Sequence, residues 1–181
     1  MYDLDPPNMK AQFNSINSAN QSIKLSVTLG DKLSNNKGLS DFQYNKKIIF
    51  KYSFNLSNSH LVINIYTVNS NTNHFNKTVL GSFVYDLSLK YSASLITVNA
   101  KNKADLELLV FGFLQKDFIY SIYKKNTKKS KYKTNFKLSK NYLSLLNSLN
   151  FLKELVSEPS NIIYPASFVK RTQSQLNKKN V

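Results

Sequence analysis

Residues 60–89 read HLVINIYTVNSNTNHFNKTVLGSFVYDLSL, two apolar runs held apart by a polar stretch of Asn, Thr and Ser around His74. How the second run is read decides the fold. The first, LVINIYT, is rich in β-branched residues and is bounded by polar ones, which predicts a strand with Ile63 and Ile65 in the core. The second, TVLGSFVYDL, alternates in the same way and reads as another strand. Residues 67–77 are then a connection whose Asn residues supply turn conformations.

Working outward, the same period of two recurs. In SIKLSVTLGDKL, residues 22–33, Ile23, Leu25, Val27 and Leu29 point one way while Lys24, Ser26 and Thr28 point the other. In KKIIFKYSFN, residues 46–55, Ile48, Phe50, Tyr52 and Phe54 share a side. SASLITV and DLELLVFGFL complete the set. Short strands separated by turn residues, with no helical period between them, predict a mostly β protein: an antiparallel β-sandwich of about six to eight strands. Phe50, Ile63, Ile65, Leu80 and Leu108 are its expected core.

Beyond Gln115 the pattern changes. Tyr142, Leu145, Leu146, Leu149, Leu152 and Val156 recur at helical spacing, and Pro159 sets a limit to that helix. The expected organisation is an extended N-terminal arm over residues 1–21, a sandwich over 22–115, a Lys-rich linker over 116–140, an amphipathic helix over 141–158 and an extended basic tail over 159–181.

Taken in order, the strands resemble a C2 domain, the eight-stranded sandwich of membrane docking and scaffolding. IKLSVTLGDKL is similar to its opening strand and turn, FKYSFN to the strand before the central pair, LVINIYT to the strand ahead of the third loop, VLGSFVYDLSL to the next strand with its Gly81, and DLELLVFGFL to the closing strand. The resemblance spans about residues 22–115, half of the chain. In calcium-binding members the loop after the LVINIYT strand carries several Asp residues. Here the matching positions are Thr67, Asn69, Asn76 and Lys77, no carboxylate lies between His60 and Val84, and the first loop offers Asp31 and Asp41. The resemblance therefore implies a module that works without calcium.

Groups suited to catalysis are sparse. His60 and His74 are the two His of the chain, Cys is absent, and four Gly leave little for a phosphate-cradling loop. No Gly-x-Ser-x-Gly elbow, Walker loop or dinucleotide pattern occurs. Asp105 and Glu107 share one face if DLELL is a strand, and read as a solvent-facing edge. The expectation is a protein that is not an enzyme, with no cofactor and no metal.

Charge is the stronger signal. With 25 basic and 10 acidic residues the chain carries +15 at neutral pH, which calls for an anionic partner. Lys124, Lys125, Lys128, Lys129, Lys131, Lys133, Lys137 and Lys140 interleave with Tyr120, Tyr123, Tyr132 and Phe136, a pattern able to neutralise phosphates while offering stacking faces. Lys170, Arg171, Lys178 and Lys179 extend it into the tail. The excess of Lys over a single Arg, with much Asn, fits an AT-rich genome.

No apolar run is long enough to span a membrane, and the first ten residues lack a signal-peptide core and carry Asp3 and Asp5, unlike an import presequence. These features point to a structural subunit of a large assembly, an organellar (mitochondrial) ribosome first, touching rRNA and neighbouring subunits through the Lys-rich segments. The alternatives are a calcium-independent C2-type module on an anionic membrane surface or scaffold protein, or an accessory subunit of a respiratory or cytoskeletal complex. Localisation is then mitochondrial, with the cytoplasm as the other option.

Overall fold

A computed structural model describes residues 23–30, 39–44, 47–57, 60–67, 73–120 and 132–177. The strands are β1 (Ile23–Gly30), β2 (Ser40–Tyr44), β3 (Lys47–Ser57), β4 (His60–Thr67), β5 (Ala93–Ala100) and β6 (Lys133–Thr134). The helices are α1 (His74–Lys90), α2 (Lys103–Lys116), α3 (Lys140–Ser157) and α4 (Pro165–Asn177).

One six-stranded sheet runs in the order β2-β3-β4-β1-β5-β6. β1 lies in its middle and pairs in parallel with β4 on one side, Leu25 opposite Leu61, and with β5 on the other, Leu25 opposite Ile96. β2, β3 and β4 form an antiparallel meander, and β6 adds a short parallel edge beside β5. The architecture is therefore α/β with a mixed sheet. This corrects both the antiparallel sandwich and the C2 resemblance, because β1 pairs in parallel with β4 and β5, and the chain passes from β4 to β5 through a helix that a sandwich lacks.

The decisive error lies in the quoted stretch: TVLGSFVYDL and DLELLVFGFL are helices. Each starts at an Asn whose side chain stands in for the missing fourth-turn partner. Asn73 Oδ1 accepts from Asn76 N at 2.9 Å, and Asn102 Oδ1 accepts from Ala104 N at 3.0 Å. Lys90 and Lys116 occupy the last turns, where the helix dipole favours a cation. Buried residues in α1 are Leu80, Gly81, Phe83, Val84, Tyr85, Leu87 and Ser88, and in α2 they run without a break from Leu108 to Phe113. A helix covered on several sides is apolar nearly all round, so its 3.6-residue stripe disappears from the sequence.

α1 and α2 touch at backbone distance. A β-carbon on Gly81 would collide with the carbonyl oxygen of Leu109, and one on Gly112 with the carbonyl of Thr78. Gly81, which the C2 resemblance treated as a strand residue, is thus required by a helix crossing, and Ser82 Oγ bonds Gly112 O across it at 3.3 Å. Ion pairs tie the same helices, Lys77 to Asp105 at 2.5 Å and Lys116 to Asp86 at 3.4 Å. Asp105 and Glu107 are therefore helical neighbours two residues apart and not a pair on one strand face.

The helix pair covers the face of the sheet made by Ile23, Leu25, Val27 and Leu29 with Leu61, Ile63, Ile65, Ile96 and Val98, all buried in one cluster with Phe83, Leu87, Leu109 and Phe113. Phe83 reaches the meander, 4.6 Å from the Phe42 ring and 5.7 Å from Tyr52. The expected core residues Phe50, Ile63, Ile65, Leu80 and Leu108 are all buried. α3 lies outside α2, with Tyr142 against Phe111, and begins and ends within a residue of the expected helix. The tail expected to be extended contains α4, which opens on Pro165 as helices favour. The arm over 1–21 lies outside the described residues.

Candidate functional site

The second face of the sheet is unlike the first. Parallel sheets are ordinarily apolar on both sides. Here the strand register brings Lys24, Ser26 and Thr28 of β1 beside His60, Asn64 and Tyr66 of β4, Thr97 and Asn99 of β5, and Lys51 and Ser53 of β3. These side chains are half-buried or exposed. The result is a polar plane across four strands.

Its centre is a chain of short hydrogen bonds. Ser26 Oγ lies 2.6 Å from His60 Nε2 and 2.7 Å from Thr97 Oγ1, and Thr97 Oγ1 also reaches Leu25 O at 3.5 Å. Two proton arrangements satisfy this geometry. Either Ser26 donates to His60, the direction in which an imidazole raises the nucleophilicity of a hydroxyl, or His60 donates to Ser26 and Ser26 to Thr97. In both, the Ser26 oxygen is fixed from two sides in mid-sheet. At the margin Lys51 Nζ donates to Asp41 at 2.8 Å. Strand alternation already put Ser26 opposite the core. Its union with His60 and Thr97 depends on parallel register across 34 and 71 residues, which no local pattern carries.

The residues expected to bind anions are spread over several elements. Lys133 is in β6, Lys137 follows it, Lys140 opens α3 and Lys170 lies in α4, all four exposed. Arg171 Nη1 donates to Glu158 Oε1 at 2.6 Å. Tyr132 and Phe136 pack edge-on against Phe113 at 5.4 and 5.6 Å. Burial, then the hydrogen bond to Asp117 and its negative charge, hold the Tyr132 hydroxyl well above a tyrosine's ordinary pKa. Tyr120 is half-buried. Lys124, Lys125, Lys128, Lys129, Lys131, Lys178, Lys179 and Tyr123 lie outside the described residues, as does Asp31. His74 is exposed at the start of α1.

Among the described residues no group of three or more His, Cys, Asp or Glu could hold a metal ion, and no helix is long and apolar enough to cross a membrane.

A different surface forms on the outer helices. Leu145, Leu152 and Val156, spaced by seven and four residues, make one exposed stripe on α3, and Val169 and Leu176 repeat that spacing on α4. Val156 is 79% exposed.

No protein-family profile matches the sequence, and no curated protein is similar to it. Solved structures do share its fold. A tomato leucine aminopeptidase variant superimposes with a TM-score of 0.58 at 11% identity, covering 88% of this chain and 40% of the other. The bottromycin maturation enzyme BotP does so with a TM-score of 0.61 at 9% identity, covering 88% of this chain and 38% of that one. The chain thus spans about two fifths of the length of these proteins. Identity this low carries the fold alone; both neighbours are enzymes, so the fold gives no ground for the expectation that this chain is not an enzyme.

Proposed function

We propose that this chain forms the α/β domain of an aminopeptidase-like enzyme, seated through α3 and α4 on the part of the enzyme that completes it. The observation that carries this reading is the match over 88% of the chain to two enzymes of which it spans 40% and 38%. The outer helices support it. A row of Leu and Val in water is an unfavourable surface that marks an interface, and the stripe through Leu145, Leu152 and Val156 runs along α3 on residues that the sheet and α2 leave exposed.

The test is to tag the chain, isolate it with its native partners and assay hydrolysis of leucyl-aminomethylcoumarin. Peptidase activity should accompany the wild-type chain and be lost from preparations of Leu152→Asp, a variant that should fold. Absence of activity from the wild-type preparation would overturn the reading.

A second reading rests on the charge. A net +15 favours an anionic partner, RNA in a large assembly such as an organellar ribosome before lipid or acidic protein. Exposed Lys133, Lys137, Lys140 and Lys170 are available for it. RNA affinity should then fall with salt at a logarithmic slope of about 0.7 to 0.9 per phosphate contact. A salt-independent affinity would exclude it.

A further inference from the structure

The polar plane of the sheet holds a group that neither reading above uses. Ser26 Oγ lies 2.6 Å from His60 Nε2 and 2.7 Å from Thr97 Oγ1. The helix pair α1 and α2 covers the opposite face, and Ser26, His60 and Thr97 are each part-buried rather than buried.

Of the two proton arrangements, the distances favour the one in which Ser26 donates to His60. There Thr97 donates to Ser26 and Ser26 donates to the imidazole, so both hydroxyl protons serve short contacts. In the other, His60 donates to Ser26 and Ser26 to Thr97, and the Thr97 proton is left with Leu25 O at 3.5 Å. That is well beyond the reach of about 2.5 to 3.0 Å usual for a hydroxyl donor. A serine hydroxyl at its ordinary pKa is a weak nucleophile, and an imidazole that accepts its proton activates it. His60 thus stands as base to Ser26, and Thr97 steadies the oxygen from the other side.

Charge on the plane suits the same chemistry. Lys24 is exposed, stands opposite His60 in the parallel register and lies two residues from Ser26 on one strand face, about 7 Å along the strand. Its side chain is long enough to bring the ammonium towards the negative oxygen that forms when Ser26 attacks a carbonyl. Asp41, at the margin of the plane, is held by Lys51 at 2.8 Å.

We propose that Ser26 is an acyl-accepting nucleophile activated by His60, with activated carboxylic esters as its substrate class. Ser26 Oγ bonds to the acyl carbon, its proton passes to His60 Nε2, and the ester C–O bond breaks so that the alcohol leaves as its anion. His60 gives the proton to solvent. Water then attacks the acyl carbon, Ser26 Oγ leaves and regains a proton, and the carboxylic acid is released. The proposal does not rest on the peptidase reading.

The probe is p-nitrophenyl acetate, added to the full chain and followed by p-nitrophenolate release and by peptide mass mapping. The wild type should carry an acetyl group on Ser26, and Ser26→Ala should lose it. His60→Gln should slow acetylation of Ser26 about a hundredfold, as removal of a positioned base does. Ser53→Ala, on the same face in β3, should leave the rate unchanged. No acetyl group on Ser26 of the wild type, acetyl groups on lysines alone, or an undiminished rate in His60→Gln would each overturn the proposal. The wild-type map decides even should His60→Gln fail to fold. Because this assay is separate from leucyl-aminomethylcoumarin hydrolysis, either reading can fail without the other.

Discussion

The two helix pairs are built in opposite ways. α1 and α2 meet backbone to backbone through Gly81 and Gly112, are capped by Asn73 and Asn102, and bury a near-continuous apolar surface against the sheet. α3 and α4 bury Leu146 and Leu155, leave Leu145, Leu152, Val156, Val169 and Leu176 exposed, and contain buried acceptors without donors, Asn150 Oδ1 and Glu158 Oε2. Satisfied packing belongs to an element that is complete in this chain. Exposed apolar side chains are the opposite case, surface left in water at a cost in free energy.

The contrast can be broken most forcefully at Phe113, which joins α2 to Tyr85, Tyr132 and Phe136. Phe113→Ala should lower the free energy of unfolding by about 3 to 5 kcal/mol in denaturant titration. A loss below 1 kcal/mol would mean that α2 is not part of the core. Gly81→Ala comes next, at about 1 to 3 kcal/mol, since the obstructing group is a carbonyl of the neighbouring helix and can yield only if the helices part. Asn73→Ala removes a cap and should cost about 1 kcal/mol. At the other end of the scale, Leu152→Asp should change stability by no more than about 0.5 kcal/mol, because that side chain is 53% exposed. A larger loss would show α3 to be core and would remove the basis of the contrast.

Alkaline pH sharpens it further. Tyr132 has a folded-state pKa raised above the ordinary 10.0 by burial, then by Asp117. Above pH 10 the unfolded chain loses this proton while the folded chain keeps it. The contribution is therefore whole below pH 10 and is lost as pH rises, by up to about 1.4 kcal/mol per pH unit. Tyr132→Phe should flatten that decline, measured as unfolding free energy between pH 9 and 11. An unchanged slope would place the hydroxyl in water.

Legibility in the sequence followed how many sides of an element are covered. β1 buries one side, so alternation in Ile23–Gly30 was readable, and the apolar spacing in Lys140–Ser157 showed the helix although Leu145, Leu152 and Val156 of that stripe are exposed. α1 and α2 are covered on several sides, and a run such as Leu108 to Phe113 has no period to distinguish strand from helix. Length was the available arbiter, since 17 and 14 residues suit helices better than strands. Asn73, taken as a turn former, is a cap, and Asn102 is another. The polar second face misled in its own way, because β1, β4 and β5 alternate like antiparallel strands although they pair in parallel. The Ser26, His60 and Thr97 cluster was hidden for the same reason: each residue was visible, but the register joining them was not.

The central place of β1 also has a kinetic side. Its parallel partners begin 36 residues later, at the Lys24 to His60 pairing, and 70 residues later, at the Ile23 to Ala93 pairing. The meander β2-β3-β4 can zip from neighbouring residues, whereas β1 must close a long loop to reach β4 and a longer one to reach β5. Until β1 arrives, β4 presents an unpaired edge in mid-sheet, the kind of edge that recruits a second chain. During synthesis β1 emerges first and its last partner, β5, emerges about 70 residues later, so the strand that anchors the finished sheet waits longest for completion.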